Sequence, residues 1–145
     1  MYRKKPAILL VEDNPDDVLL ARRALKKNNI DNDLEVVNDG AEALDYLFCR
    51  GDYVDRNPDE VPQVIFLDLK LPKVDGLSVL EEIRNNEKTK TIPVVVLTSS
   101  DEEHDLMESY SLGANSYVRK PVDFDEFIEA VRQLGLYWLI INQTP

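Results

Sequence analysis

Cysteine, histidine and tryptophan each occur once in the 145 residues. Cys49 alone cannot form an internal disulfide, so the fold must rest on its core, and a reducing cytoplasm is the expected compartment. The single histidine, His104, sits among Asp101, Glu102, Glu103 and Asp105, which marks it as a solvated surface residue rather than a catalyst or metal ligand. Glycine is scarce, at five residues, and neither G-x-x-x-x-G-K nor G-x-G-x-x-G occurs, so nucleotide binding has little support. Long hydrophobic runs are missing too. The longest, such as 7–11 and 136–141, hold five and six residues, far short of the roughly 20 that span a bilayer. Arg3, Lys4 and Lys5 run almost directly into Glu12 and Asp13, leaving no room for the apolar region of a signal peptide. Positive charge is in deficit, with 17 Lys and Arg against 28 Asp and Glu and a net charge of -11. Such a chain repels phosphate backbones, which argues against sequence-independent binding of DNA or RNA.

What is present points to one folded domain. With 43% hydrophobic residues the chain can bury a core, unlike a disordered acidic tail. Short apolar runs at 7–11, 34–37, 64–67, 94–97 and, more weakly, 116–118 alternate with amphipathic stretches. That rhythm predicts a parallel sheet covered by helices on both faces. A first helix follows Asn14-Pro15, with Val18, Ala21 and Leu25 at helical spacing. A second begins near Gly40 and presents Ala41, Leu44, Leu47 and Phe48. A third carries Leu77, Leu80 and Ile83. A fourth, polar helix follows Ser99-Ser100, and a fifth starts at Asp123. The one long connection, 50–62, is expected to be a solvated loop with room for a partner-specific contact.

In open parallel sheets, ligands gather beyond the carboxyl ends of the strands. The residues found there are Glu12 and Asp13, Asp68, Thr98, and Lys120 followed by Pro121. Three packed carboxylates either raise a pKa or invite a cation. Oxygen donors without His or Cys suit Mg2+, with Mn2+ as the alternative. Asp68 is then placed to act as a nucleophile toward phosphorus, with Thr98 and Lys120 steadying the phosphoryl oxygens. No candidate general acid accompanies them, which fits a donor that carries its own activated phosphate.

These residues sit in four ordered motifs: Ile8 to Asn14 (ILLVEDN), Leu67 to Gly76 (LDLKLPKVDG), Val96 to Ser99 (VLTS) and Gly113 to Pro121 (GANSYVRKP). Over nearly the whole chain the sequence resembles the response-regulator receiver domain. The resemblance implies a flavodoxin-like α/β fold, (βα)5, with parallel strand order 2-1-3-4-5. It implies Asp68 as phosphoacceptor, Glu12 and Asp13 as the acidic metal pair, and the Lys70 backbone carbonyl as a further Mg2+ ligand. Thr98 and Lys120 would contact the phosphoryl group, Tyr117 would be the aromatic switch, and Lys120-Pro121 is a candidate cis bond. A sensor histidine kinase is the implied donor, and the output is a changed protein-protein surface acting on an unknown downstream protein.

Two features narrow the resemblance. The lengthened connection 50–62 and the apolar tail, Tyr137, Trp138 and Leu139 with their neighbours, are similar to small regulators serving bacterial phytochrome kinases. The tail, about 135–145, is either additional core or the face of a homodimer. The chain is therefore expected to be a stand-alone receiver, a phosphoacceptor rather than an enzyme, with no output domain and no nucleic-acid or membrane partner. Two competing readings stand beside it. One is a Mg2+-dependent phosphohydrolase with an aspartyl nucleophile, weakened because Lys70 stands where such enzymes place a second acid. The other is a pseudo-receiver that is never phosphorylated, weakened because no site residue is missing.

Overall fold

The computed structural model describes residues 7–27, 32–69, 73–98, 110–119 and 129. Its strands are β1 (Ile8–Val11), β2 (Leu34–Val37), β3 (Val64–Asp68), β4 (Val94–Thr98) and β5 (Ser116–Arg119), and its helices are α1 (Pro15–Lys27), α2 (Gly40–Leu47) and α3 (Gly76–Arg84). All strand pairings are parallel and the order is β2-β1-β3-β4-β5. This is the flavodoxin-like arrangement expected from the sequence. The expected fourth and fifth helices fall largely outside the described residues.

Strand side chains alternate between two helical layers, since successive residues point to opposite faces. Ile8, Leu10, Val64, Phe66, Val95 and Leu97 pack with Ala21, Ala24 and Leu25 of α1. Leu9, Val11, Ile65, Leu67, Val94 and Val96 pack on the other face with Ala43 and Leu47 of α2 and Val79, Leu80 and Ile83 of α3. Both faces of β1, β3 and β4 are therefore apolar, which is why these strands read as continuous hydrophobic runs rather than alternating ones. Fully burying each Leu, Ile or Val contributes about 1.5–3 kcal/mol.

The helices begin where side chains can satisfy their free N–H groups. The Asn14 side chain accepts from Asp16 N at 2.9 Å, Asp39 accepts from Glu42 N at 2.7 Å, and Asp75 accepts from Ser78 N at 2.9 Å. In α1, Asp16 and Asp17 lie in the first turn and Lys26 and Lys27 in the last, which complements the helix dipole.

The buried face of α2 is broader than expected. Gly40, Ala43, Tyr46 and Leu47 are buried, while Ala41, Leu44 and Phe48 are only half-buried. Leu44 and Phe48 nonetheless pack against the same core as Leu47, and Gly40 lies so close to the Val74 carbonyl that a Cβ would collide with it. The connection 50–62 is largely exposed, as expected of a solvated loop, and residues Gly51–Tyr53 within it form a 3-10 turn. Among the described residues, no helix is long and apolar enough to cross a membrane.

Candidate functional site

Val11 of β1 and Leu67 of β3 are register partners, so the residues after them, Glu12 and Asp68, leave the sheet side by side. Backbone pairing continues past them. Glu12 N donates to Val37 O at 3.0 Å, and Leu69 N donates to Leu97 O at 3.0 Å. Glu12 is 0% exposed and Asp68 3%, whereas Asp13 is exposed. One carboxylate oxygen from each of Glu12, Asp13 and Asp68 lies within 4.8 Å of the others.

Adjacent turns hold this cluster. Asn14 N donates to Glu12 Oε2 at 3.1 Å, which draws the start of α1 against the buried carboxylate. Gly76 N donates to Leu69 O at 2.9 Å. A Cβ on Gly76 would strike the Asp68 carbonyl and the Leu69 backbone, so only glycine lets α3 begin this close to the strand end. Lys73, held at φ 67°, pairs with Asp39 at 3.4 Å. Leu69 is thereby tied to the start of α3, and residues 73–74 lie against the start of α2.

The chemistry of the donors fits a small hard cation. They are all oxygens, two of the three residues are buried, and like charges brought together there are costly unless a cation offsets them. Mg2+ and Mn2+ bind such carboxylates with water completing their coordination.

The structure brings three of the residues singled out in the sequence into one cluster: Glu12, Asp13 and Asp68. Thr98 ends β4, one residue beyond Leu97, the register partner of Asp68. Thr98 in turn pairs in register with Arg119, the last residue of β5, and Tyr117 pairs with Val96. Thr98 therefore shares the carboxyl edge of the sheet with Asp68. Lys70, Lys120, Pro121, Tyr137, Trp138, Leu139 and His104 lie outside the described residues.

Two arrangements, one beside the site and one at the opposite edge of the sheet, were not legible in the sequence. Lys73 and Asp39 are far apart in the chain, and no local pattern pairs them. Arg84 reads in sequence as an ordinary basic residue in the last turn of a helix. In the structure its guanidinium donates to the carbonyls of Gly113 (3.0 and 2.7 Å), Lys90 (3.1 Å) and Ile92 (2.8 Å) and to Asn115 Oδ1 (3.0 Å). The approach to β4 supplies Lys90 and Ile92, and only the return of the chain after β4 adds Gly113 and Asn115.

Residues 8–132 match the response regulator receiver domain. The chain belongs to this family. Among curated relatives of this receiver, the response regulator Rcp1 of Synechocystis sp. is 42% identical over 138 residues, 95% of this chain and 92% of its own. The probable methanogenesis regulatory protein FilR2 of Methanothrix harundinacea is 41% identical over 138 residues, 95% of this chain and 86% of its own. Among solved structures, the Mn2+-bound form of Rcp1 superposes with TM-score 0.80 at 40% identity, covering 93% of this chain and 95% of that one. The phosphorylated cyanobacterial phytochrome response regulator RcpA gives TM-score 0.79 at 39% identity, covering 92% and 94%. The bacteriophytochrome response regulator AtBRR gives 0.77 at 51% identity, also covering 92% and 94%. The receiver thus belongs to two-component phosphorelay signalling, in which receiver domains are phosphorylated by histidine kinases.

Proposed function

We propose that this receiver accepts a phosphoryl group from a kinase phosphohistidine onto Asp68, in a site that holds Mg2+, and passes the signal on through a changed protein-protein surface. The observation that carries this reading is the convergence of Glu12, Asp13 and Asp68 within 4.8 Å at the carboxyl edge of the parallel sheet. Mn2+ is the alternative ion.

In the transfer, an Asp68 oxygen forms the new bond to phosphorus as the histidine N–P bond breaks, and the histidine nitrogen leaves with that electron pair. Bound Mg2+ supplies charge neutralisation for the phosphoryl oxygens. Glu12 and Asp13 hold the ion together with Asp68, and the Lys70 backbone carbonyl contributes a further ligand. The chain's own share of the work is positioning. Burial keeps the Asp68 carboxylate in place, and the Gly76 N–H holds the Leu69 carbonyl that follows it. Thr98 and Lys120 meet the phosphoryl oxygens, adding a hydrogen bond and a positive charge. Drawing Thr98 inward gives Tyr117 its switching role. The chain then acts as a phosphoacceptor and not as an enzyme turning over a separate substrate.

The likeness to RcpA and AtBRR supports a phytochrome-type histidine kinase as donor, and the apolar residues Tyr137, Trp138 and Leu139 suit a dimer face. Intact mass measurement after incubation with acetyl phosphate and Mg2+ tests the central claim. A gain of one phosphoryl group that is lost in Asp68→Asn supports the receiver. Sustained turnover of a phosphate ester would support a hydrolase, and no mass change would support a pseudo-receiver.

A further inference from the structure

The loop after Asp68 rests on the N-terminus of α2 at two points. The Val74 carbonyl lies against Gly40, where a Cβ would collide with it, and Lys73 pairs with Asp39 at 3.4 Å. Asp39 and the residue three positions later form a capping pair. Asp39 accepts from Glu42 N at 2.7 Å, and Glu42 Oε1 accepts from Asn38 N at 2.8 Å. The second oxygen of the same carboxylate reaches outward: the Tyr53 hydroxyl donates to Glu42 Oε2 at 2.6 Å.

Tyr53 organises the connection. Its ring meets Tyr46 edge-on at 5.2 Å, and the Arg56 guanidinium lies 4.1 Å above the Tyr46 ring. Arg56 also donates to Cys49 Sγ at 3.2 Å and to Glu60 O at 2.5 Å. The backbone closes on itself as Tyr53 N donates to Arg50 O and Arg56 N to Tyr53 O. This ordered turn carries Val54, 66% exposed, between Asp52 and Asp55. A continuous chain of contacts therefore runs from the loop after Asp68, through one carboxylate, to an apolar residue displayed on the surface.

We infer that Glu42 is a positioning residue through which the phosphoryl site and the 50–62 connection set each other's conformation. The inference rests on Asp68 being the phosphoacceptor. A charged hydrogen bond is directional and is either made or lost. A shift of residues 73–75 on phosphorylation displaces the start of α2 and with it the Glu42 carboxylate, releasing or tightening Tyr53. Coupling of this kind is reciprocal, so the state of the Tyr53–Glu42 bond must also alter affinity at the site.

Hydrogen-deuterium exchange of amides 50–56 in the full chain with Mg2+, with and without beryllofluoride as phosphoryl analogue, tests this. In the wild type, beryllofluoride changes exchange there by about fivefold or more. Tyr53→Phe, which keeps the ring and loses the hydroxyl, and Glu42→Ala abolish that response and shift beryllofluoride affinity. Glu42→Gln, whose amide oxygen can still accept from Asn38 N while its NH2 donates to the Tyr53 hydroxyl oxygen, keeps a neutral link with the second bond reversed and restores the response. A wild type that gains its phosphoryl group by mass while 50–56 exchange unchanged overturns the inference and leaves the phosphoacceptor reading intact. So does a Tyr53→Phe protein with a lower melting temperature but an undiminished beryllofluoride response, since the bond is then structural only. A wild type that gains no phosphoryl group removes the phosphoacceptor reading, and the inference with it.

Discussion

The Arg84 guanidinium donates two hydrogen bonds to the Gly113 carbonyl, at 3.0 and 2.7 Å, and Gly113 sits at φ 98° with a would-be Cβ only 2.7 Å from Arg84 Nε. Each residue requires the other's shape: the arginine fills the space a side chain would need, and the glycine turns its carbonyl toward the arginine. Burial lowers the Arg84 pKa, but its partners are neutral acceptors, so the charge is satisfied by hydrogen bonds rather than by an ion pair. Through Ile92 and Asn115 the same side chain joins the end of α3 to the starts of β4 and β5.

Arg84→Ala is therefore expected to cost about 2 kcal/mol, the loss of several charge-assisted bonds at a half-buried site. Gly113→Ala should cost a similar amount from backbone strain and the clash together. In the Arg84→Ala background the clash vanishes and only the strain remains. Urea denaturation of the two single variants and the double variant should give a double cost smaller than the sum of the singles. Strict additivity would mean that the two residues act independently.

Gly40→Ala drives a Cβ into the Val74 carbonyl, and neither backbone can yield without moving α2 or the loop after Asp68. A destabilisation of about 3 kcal/mol or more is expected, together with slower phosphorylation by acetyl phosphate. Thermal melts read the first effect, and the rate of mass gain reads the second. A normal rate in a destabilised protein would show that the loop's position does not limit transfer.

Crowded carboxylates should make the metal-free site a weak point in the fold. Asp13→Asn is expected to raise stability in EDTA by about 1 kcal/mol, by removing one like charge from the surface side of the cluster. The same change should remove the rise in melting temperature that saturating Mg2+ gives the wild type. Melting curves with EDTA and with Mg2+ for both proteins check the pair of effects.

Tyr53 is held protonated by burial and by the Glu42 carboxylate, so its pKa is raised well above the ordinary 10.0. Above pH of about 10 the unfolded chain releases that proton while the folded chain keeps it, and stability contributed by this group falls as pH rises. Tyr53→Phe cannot show this loss. The stability difference between wild type and Tyr53→Phe should therefore be largest below pH 10 and shrink above it, measured by urea denaturation at pH 8 and pH 11. A constant difference would mean that the hydroxyl is not linked to folding.

Much of the fold is legible in the chain because it is written locally. Strands buried on both faces need unbroken apolar runs, and helices need caps and a periodic stripe, so β1, β3, β4, α1 and α3 can be placed within a residue or two. Asp68, Glu12 and Asp13 stand out because they interrupt or follow such runs at the strand ends. The expected face of α2 was incomplete, since Leu44, Leu47 and Phe48 do pack on the core but Gly40, Ala43 and Tyr46 are buried too, and helical periodicity knows nothing of the carbonyl waiting at Gly40. The connection 50–62 is solvated as expected, but its internal order comes from Tyr46, Glu42 and Arg56 together, and turns lacking a period leave no pattern.

The sequence by itself determined the layers of the fold, the edge on which chemistry gathers and the family to which the chain belongs, since each depends on neighbours along the chain. The tertiary structure alone decided that Glu12 and Asp68 lie buried side by side. It also decided that Lys73 meets Asp39, that Glu42 bonds Tyr53, and that Arg84 clasps Gly113. Those relationships join residues between 11 and 56 positions apart, and only the folded sheet, its crossover helices and the turn after α2 bring them together.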